Sequence, residues 1–378
     1  MFKKALKVLL VLVVIFSLLF TTVSLVILAT NFNNLGHFVQ SWTLIDQFFL
    51  WPPERETLIE GMIHGIVDSL GDRYSRYLPP ERYQQFRESF SGTYGGIGIY
   101  ADFVDDTVIV VSTMPDTPGE RAGLRENDAI IGVNGQNVTG MSINDIIDMI
   151  RGEAGTEVEL TIRRGSDNVF TVSIVRERIS SPTVFAEMLE EHPEIAYLRI
   201  AVFTQQTYRE FADKMNTLLE SDPQGLIVDL RSNPGGDLES FVNVTGSFTP
   251  EGPVLHQVNR AGEIRSIVTS GNRFDFPIVL LINGNTASAA EAMTGALQDY
   301  GVAFVIGETT FGKGIVQTIF PLGNGGGLEL TTDQYLTPLK RNIHDVGIAP
   351  DLKVSLTSDD LTDKQLEAAI AHLLEEIS

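Results

Sequence analysis

Apolar runs separated by glycine-rich turns dominate the second half of the chain. Residues 225–230, 277–282 and 303–307 are stretches of strand length with few polar positions. Short apolar runs bounded by turn residues are typical of buried strands. Residues 289–297, directly after the second run, are rich in small residues and predict a helix. We therefore expect an α/β fold in this half of the chain.

Residues 92–176 have a different pattern and predict a smaller, β-rich module. Residues 107–112 and 157–163 predict strands, and Asn134-Gly135 is a typical hairpin turn. Residues 141–150 carry apolar side chains at helical spacing, namely Ile143, Ile146, Ile147 and Ile150. One interpretation of the pair Gly95-Gly96 at the start of this module is a flexible hinge.

The N-terminal stretch predicts a membrane anchor. Residues 8–29 contain no charged side chain, and Lys3, Lys4 and Lys7 precede them. Twenty-two residues without a charge suffice to cross a bilayer, and the basic flank predicts that the rest of the chain lies outside the cytoplasm. A cleaved signal peptide is the alternative, although Leu28-Ala29-Thr30 is a poor cleavage site. We expect a cell-membrane protein with a single-pass anchor, or a secreted one if this segment is removed.

Composition excludes several classes of function. The chain has 378 residues and no cysteine, which excludes disulfides, thiolate catalysis and lipoprotein attachment. It carries 49 acidic against 27 basic side chains, a balance that argues against nucleic-acid binding. No cluster of metal ligands and no phosphate loop stands out, so we predict neither a metal nor another cofactor.

Ser288 is the first candidate for chemistry. It lies between the predicted strand 277–282 and the predicted helix 289–297, where the amides of a helix N-terminus can stabilise a developing anion. A serine that merely begins the helix is the competing interpretation.

Lys313 is the candidate base, since it lies between Gly312 and Gly314 in a stretch that could be buried. A lysine accepts a proton near neutral pH only if burial or a nearby cation lowers its pKa. Gln317 could orient the amine without adding charge. A solvated surface lysine is the alternative, and His256 and His344 are rival bases.

Together these segments resemble the C-terminal processing peptidases, also called tail-specific proteases. The resemblance spans about residues 37–355 and is carried by DRYSRYLPP (72–80), DLRSNPGG (229–236), TASAAE (286–291), FGKGIVQ (311–317), YLTP (335–338) and GIAPD (347–351). It implies that Ser288 is the nucleophile, Lys313 the general base and Gln317 the residue that orients it. The amides of Ala289 and of Gly235 or Gly236 would form the oxyanion hole. The family usually has a further serine where this chain has Ala290.

The β-rich module resembles a PDZ domain, with RAGL (121–124) and DAI (128–130) as its most specific matches. PDZ domains add a peptide as an extra strand and bind its terminal carboxylate with backbone amides. The resemblance implies that the loop Gly95, Gly96, Ile97 and Gly98 binds the carboxylate. Ile97 and Ile99 would shape a pocket for an apolar last side chain.

The expected fold is α/β: a crotonase-like serine peptidase core with an inserted PDZ-like domain and an N-terminal helical segment. The predicted segments are an anchor or signal (1–30), a helical region (37–91), the PDZ domain (92–176), the catalytic core (177–355) and a C-terminal helix (356–378). Residues 37–91 would take part in dimerisation, shape a substrate tunnel or form a packing platform. A homodimer and an adaptor protein are open alternatives as partners.

The expected function is a serine endopeptidase that cleaves extracytoplasmic proteins near free, apolar C-termini. A catalytically silent PDZ scaffold that binds C-termini is the alternative. An acyl-CoA enzyme on the same type of core is disfavoured by the PDZ-like module and by the predicted export.

Overall fold

The chain divides into two units at Gly71. A computed structural model describes residues 2–51, 53–104, 107–272, 274–357 and 360–378. Residues 1–71 form one unit and residues 72–378 the other.

The first unit is helical in its described part, with α1 (Phe2–Phe48) and α2 (Arg55–Asp68). In the part of the chain whose side chains are described, no helix has the length and apolar character needed to cross a membrane. The predicted anchor at 8–29 includes residues 8–9, 11–12 and 24–29, whose side chains lie outside that part.

The second unit begins with β1 (Arg76–Leu78) and α3 (Pro80–Ser91) and then enters the β-rich module. The module contains β2 (Thr93–Gly96), β3 (Ile99–Val104), β4 (Thr107–Thr113), α4 (Pro118–Arg121), β5 (Asp128–Val133), β6 (Gln136–Asn137), α5 (Ile143–Ile150), β7 (Glu157–Arg164) and β8 (Asn168–Val175).

The remaining elements make up a larger core. They are β9 (Glu177–Ser180), β10 (Val184–Met188), β11 (Ile195–Ile200), α6 (Thr207–Leu219), β12 (Gly225–Asp229), α7 (Leu238–Gly246), β13 (Gly252–Asn259), β14 (Ile264–Thr269), β15 (Ile278–Ile282), α8 (Ala289–Asp299), β16 (Phe304–Gly307), β17 (Ile315–Pro321), β18 (Gly327–Leu336), β19 (Leu352–Lys353) and α9 (Lys364–Ile377).

An antiparallel sheet forms the centre of the β-rich module. Its described strands have the order β3-β4-β5-β7-β8, with β6 paired to β5. Alternate residues of β7, namely Val158, Leu160 and Ile162, are fully buried, as expected for a sheet with one face on a core. Strand β3 pairs only with β4 among the described strands, so its other edge is open to a further strand.

The larger core is built on a mostly parallel sheet with the strand order β10-β11-β12-β15-β16-β19. Strand β10 runs antiparallel to β11, and the neighbours from β11 to β19 are parallel. Alternate residues of the central strands enter different clusters: Leu226 and Leu280 pack with residues of α7 and α8, whereas Ile227 and Leu281 pack with residues of α9. Helices on both faces explain why these strands are continuously apolar.

A second sheet of the core is antiparallel and is assembled around β18. Within the described chain β18 pairs with β1, β13 and β17, and β14 pairs with β13. The pairing of β1 with β18 aligns Arg76 with Glu329 and joins segments about 250 residues apart, with an ion pair at 2.5 Å between the two side chains.

Candidate functional site

Three loops meet at one edge of the parallel sheet. Strands β12, β15 and β16 are neighbours, and the loops after them contain Gly235-Gly236, Ser288 and Lys313 respectively. Because parallel strands end at the same edge, the connections that follow them are brought together. The loops are also joined directly: Thr286 Oγ1 donates to the Leu230 carbonyl at 2.9 Å, and the Phe311 amide donates to the Thr286 carbonyl at 3.0 Å.

Ser288 lies immediately before α8 in an unusual backbone conformation. Its φ of 55° and ψ of −118° are sparsely populated by residues other than glycine. Such a conformation costs on the order of 1–3 kcal/mol and persists only where the surroundings hold it. The residue is half-buried. A serine that only begins a helix adopts ordinary extended backbone, so this geometry indicates a role beyond the capping box that Ser288 forms with Glu291.

The carboxylate of Glu291 supplies the interactions that hold this conformation. Glu291 is fully buried, and its Oε2 accepts hydrogen bonds from the amides of Ser288 at 2.9 Å and Lys313 at 2.8 Å. Its Oε1 accepts from Thr310 Oγ1 at 2.5 Å and from the Gly312 amide at 2.6 Å. One oxygen atom therefore joins the two candidate catalytic residues through their backbones.

A second link between the same two residues comes from Tyr335, on β18. Its hydroxyl oxygen lies 2.7 Å from the Ser288 carbonyl oxygen and 2.6 Å from the Lys313 carbonyl oxygen. The side chain is buried, and burial raises the pKa of its hydroxyl well above the ordinary value, with the Glu291 charge adding to the effect. The hydroxyl therefore stays protonated and can donate.

Burial lowers the pKa of the Lys313 amine. Nearby charges act in both directions, since Glu329, Glu291 and Asp72 raise this pKa and Arg76 lowers it. The ammonium nitrogen lies 5.1 Å from the centre of the Tyr74 ring, which covers it on one side. These are the surroundings in which a lysine can act as a base.

The segment around Tyr74 is held in place by its own hydrogen bonds. Asp72 accepts from the Tyr74 amide at 3.1 Å and from the Ser75 hydroxyl at 2.6 Å. Ser75 in turn accepts from the Thr331 amide of β18 at 3.0 Å. The DRYS segment is thus fixed against the sheet that carries Tyr335, and it forms part of the lysine's surroundings.

The glycine pair after β12 approaches Ser288 closely. A Cβ on Gly235 would lie 2.7 Å from Ser288 Cβ and 2.8 Å from the Ala289 nitrogen, so only glycine fits there. The Gly235 amide already donates to Asn233 Oδ1 at 2.8 Å. Within the described chain, the amides of Gly236 and Ala289 have no hydrogen-bond partner. These two amides are therefore the free donors next to Ser288.

The side chain of Gln317 forms its hydrogen bond with Thr331 and not with Lys313. Its amide group donates to Thr331 Oγ1 at 3.3 Å. The pairing of β17 with β18 has a bulge between Val316 and Gln317. Among the described side chains, the Ser288 hydroxyl and the Lys313 amine form no hydrogen bond, either with each other or with Gln317. The orienting role of Gln317 stays a prediction.

The rival histidine bases have other partners. His256 Nδ1 lies 2.8 Å from Ser266 Oγ and its Nε2 lies 3.1 Å from the Pro338 carbonyl oxygen, so both ring nitrogens are engaged. His344 stands beside Tyr74, with ring centres 6.4 Å apart. Among the described hydrogen bonds, neither histidine shares with Ser288 the Glu291 oxygen and the Tyr335 hydroxyl that Lys313 shares with it, and the geometry therefore favours Lys313.

In the β-rich module, the predicted carboxylate loop is built by close backbone packing. Gly95 and Gly96 belong to β2, and a Cβ on Gly95 would lie 1.9 Å from the Gly152 carbonyl oxygen. The hinge interpretation is therefore disfavoured. The amides of Ile97 and Gly98 have no partner in the described chain, whereas the Ile97 side chain is buried in the module's core and Ile99 packs against it. Two free amides at the start of open strand β3 suit a bound carboxylate.

The motifs that carry the resemblance contain further residues of the site that were not assigned a role from the sequence. Glu291 is the last residue of the motif TASAAE (286–291), and the structure makes it the hydrogen-bond acceptor that joins the two loops. Tyr335 and Tyr74 lie in motifs that carry the resemblance, but nothing in their local pattern predicted contact with Ser288 or Lys313.

Comparison with known proteins gives consistent results. The sequence profile of peptidase family S41 matches residues 194–354, and that of a PDZ domain matches residues 109–164. A carboxy-terminal-processing protease of Bartonella bacilliformis is 36% identical over 352 residues, which cover 89% of this chain and 80% of that protein. The carboxy-terminal processing protease CtpA of Bacillus subtilis is 36% identical over 303 residues, which cover 80% of this chain and 65% of that protein.

Among solved structures, a photosystem II D1 C-terminal processing protease is similar over 91% of this chain and 92% of its own, with a TM-score of 0.52 and 27% identity. The likeness thus extends across the β-rich module and the parallel-sheet core.

The environment of Lys313 can be tested directly by lysine side-chain NMR titration, with Lys313→Met for assignment. We expect its pKa to lie below the ordinary value of a lysine side chain. Glu329→Gln should lower the Lys313 pKa further, because Glu329 raises it, and Arg76→Gln should raise it. Shifts of the same sign in both variants, or a wild-type Lys313 that titrates at the ordinary lysine value, would contradict this description.

Proposed function

This chain belongs to the carboxy-terminal processing proteases of peptidase family S41 and carries a PDZ domain, and from that premise we propose a specific activity. It is a serine endopeptidase that cleaves extracytoplasmic proteins near their C-termini, with Ser288 as nucleophile and Lys313 as general base. The observation that supports this proposal is the shared Glu291 oxygen, which accepts the backbone amides of both Ser288 and the partly buried Lys313.

The mechanism follows from the chemistry of these two groups. The neutral Lys313 amine takes the proton of the Ser288 hydroxyl while the serine oxygen attacks a peptide carbonyl carbon. The tetrahedral intermediate collapses to an acyl-enzyme as the lysine gives its proton to the leaving amine. A water molecule, deprotonated by the same lysine, then hydrolyses the ester and restores the serine.

The oxyanion of the intermediate needs preorganised donors close to the nucleophile. We assign this role to the amides of Ala289 and Gly236. The Gly235 amide already has an acceptor in Asn233, and the absence of a side chain at Gly235 lets the glycine turn approach Ser288.

Cleavage of a disordered reporter protein with an apolar C-terminus tests the proposal. We expect mass spectrometry to find products with wild-type residues 31–378 and none with Ser288→Ala. Lys313→Ala and Lys313→Met should reduce kcat by about 10²–10⁴-fold or more, because a general base contributes that much. All variants should keep the wild-type Tm within a few degrees.

Lys214→Ala, on the exposed face of α6, is the control and should cleave like wild type. Near-wild-type turnover by either Lys313 variant would rule out the proposed dyad. Binding of the reporter without products from any form would instead favour the alternative function, a silent scaffold that binds C-termini.

The PDZ domain would present the substrate by its tail. The free amides of Ile97 and Gly98 and the open edge of β3 support binding of a terminal carboxylate next to an added strand. A tail held this way raises the local concentration of the adjoining segment at Ser288. An apolar last side chain would pack near Ile99.

Amidation of the reporter's C-terminus should therefore lower kcat/KM by about tenfold or more, since hydrogen bonds to a charged group contribute roughly 1.5–3 kcal/mol. Fluorescence anisotropy with the Ser288→Ala variant would show whether the loss lies in binding. Equal cleavage and equal affinity for both forms would exclude tail recognition.

The N-terminal sequence is the basis for the proposed localisation at the cell membrane. Lys3, Lys4 and Lys7 before the uncharged residues 8–29 support an anchor that leaves the catalytic core outside the cytoplasm. Full-length protein should resist alkaline extraction from cell membranes, whereas residues 31–378 should be released; extraction of both would contradict the anchor. The crotonase-like character of the core, a homodimer and an adaptor stay predictions.

A further inference from the structure

Tyr335 has an arrangement that the mechanism above does not use. Its side chain is only 3% exposed, and its hydroxyl oxygen lies within hydrogen-bonding distance of the carbonyl oxygens of both Ser288 and Lys313. The Tyr335 amide also donates to the Gly314 carbonyl at 3.0 Å. One residue of β18 thus contacts the nucleophile and, twice, the loop that carries the base.

The two carbonyls differ in their need for this hydroxyl. The Ser288 carbonyl also accepts the Ala292 amide at 2.9 Å, as part of helix α8. In the described chain the Lys313 carbonyl has no donor besides Tyr335. A hydroxyl carries a single proton, and an acceptor without another donor gains most from it. The bond to Lys313 is therefore the one that the structure depends on.

Lys313 needs such a restraint because glycines flank it. Gly312 has a φ of 89°, and Gly314 packs so closely that a Cβ would lie 2.6 Å from the His344 nitrogen. The Lys313 residue itself is held by its amide on Glu291 and by its carbonyl on Tyr335. The same two groups hold the amide and the carbonyl of Ser288.

We propose that Tyr335 is a positioning residue of this protease, whose hydroxyl, opposite the Glu291 carboxylate, sets the placement of the base relative to the nucleophile. The inference rests on the proposed Ser288–Lys313 chemistry. Loss of the hydroxyl would leave the ring in the core but free one end of the Lys313 peptide. Misplacement of a reacting group by about 1 Å can cost about 10²-fold in rate.

The test compares Tyr335→Phe with Tyr300→Phe, a matched control whose hydroxyl donates to the Pro253 carbonyl at 3.0 Å in the same core. Each variant loses one hydroxyl that donates to a backbone carbonyl. We expect Tyr335→Phe to lower kcat by about 10–100-fold with KM changed less than about twofold. Tyr300→Phe should keep the wild-type kcat. Both should unfold near the wild-type Tm, as judged by calorimetry.

A second readout separates positioning from general stability. The rate at which a small fluorophosphonate phosphonylates Ser288, with loss of fluoride, is measured against pH for each form. Burial lowers the pKa of Lys313, so a lysine released towards water should have a higher pKa. The phosphonylation profile of Tyr335→Phe should therefore move to higher pH, and that of Tyr300→Phe should not.

Unchanged kcat and an unchanged phosphonylation profile in Tyr335→Phe would overturn the inference. So would equal losses of kcat and Tm in both variants, which would make Tyr335 a packing residue. Failure of the proposed function is distinguishable, because wild type would then cleave no reporter or Lys313→Met would remain active.

Discussion

A single buried carboxylate determines how the site is built. Glu291 lies on the first turn of α8, and its two oxygens accept amides from the helix's own start and from the loop after β16. Without such an acceptor, nothing would stabilise the positive φ of Ser288 or keep the Lys313 amide next to that of Ser288. The price of burying a charged group is offset only by several donors, and Thr310 completes the set.

The parallel sheet brings together the loops that Glu291 joins. Strands β12, β15 and β16 are adjacent and parallel, so the loops after them converge whatever their sequence. The antiparallel sheet contributes Tyr335, which lies on β18. The segment that contains Tyr74 is fixed to the same strand through Ser75. Ser288, Lys313 and the Tyr74 ring beside the lysine therefore come from loops whose positions depend on two different sheets.

Much of this could be predicted from sequence because it is local. Apolar runs marked β12, β15 and β16, and the position of Ser288 between a strand and a helix follows from the same pattern. The family and the PDZ domain were also recognisable, and both are confirmed. Contacts over long sequence separation were not predictable: the motif YLTP contains Tyr335, but it does not show which carbonyl oxygens the Tyr335 hydroxyl contacts. The sequence likewise could not show which of the two glycines has the free amide. The structure does, because Asn233 accepts the Gly235 amide and leaves that of Gly236 without a partner in the described chain.

The position of Tyr335 near the end of the chain sets the order in which the site can form. Strand β18 contributes one of the groups that hold Ser288 and Lys313, and it also pairs with β1, about 250 residues earlier. A chain synthesised from its N-terminus completes the β-rich module long before residue 335 exists. Ser288 and Lys313 are thus both made before the strand whose tyrosine contacts their carbonyl oxygens. A chain that ends before β18 would contain both residues but neither of the Tyr335 contacts that join them.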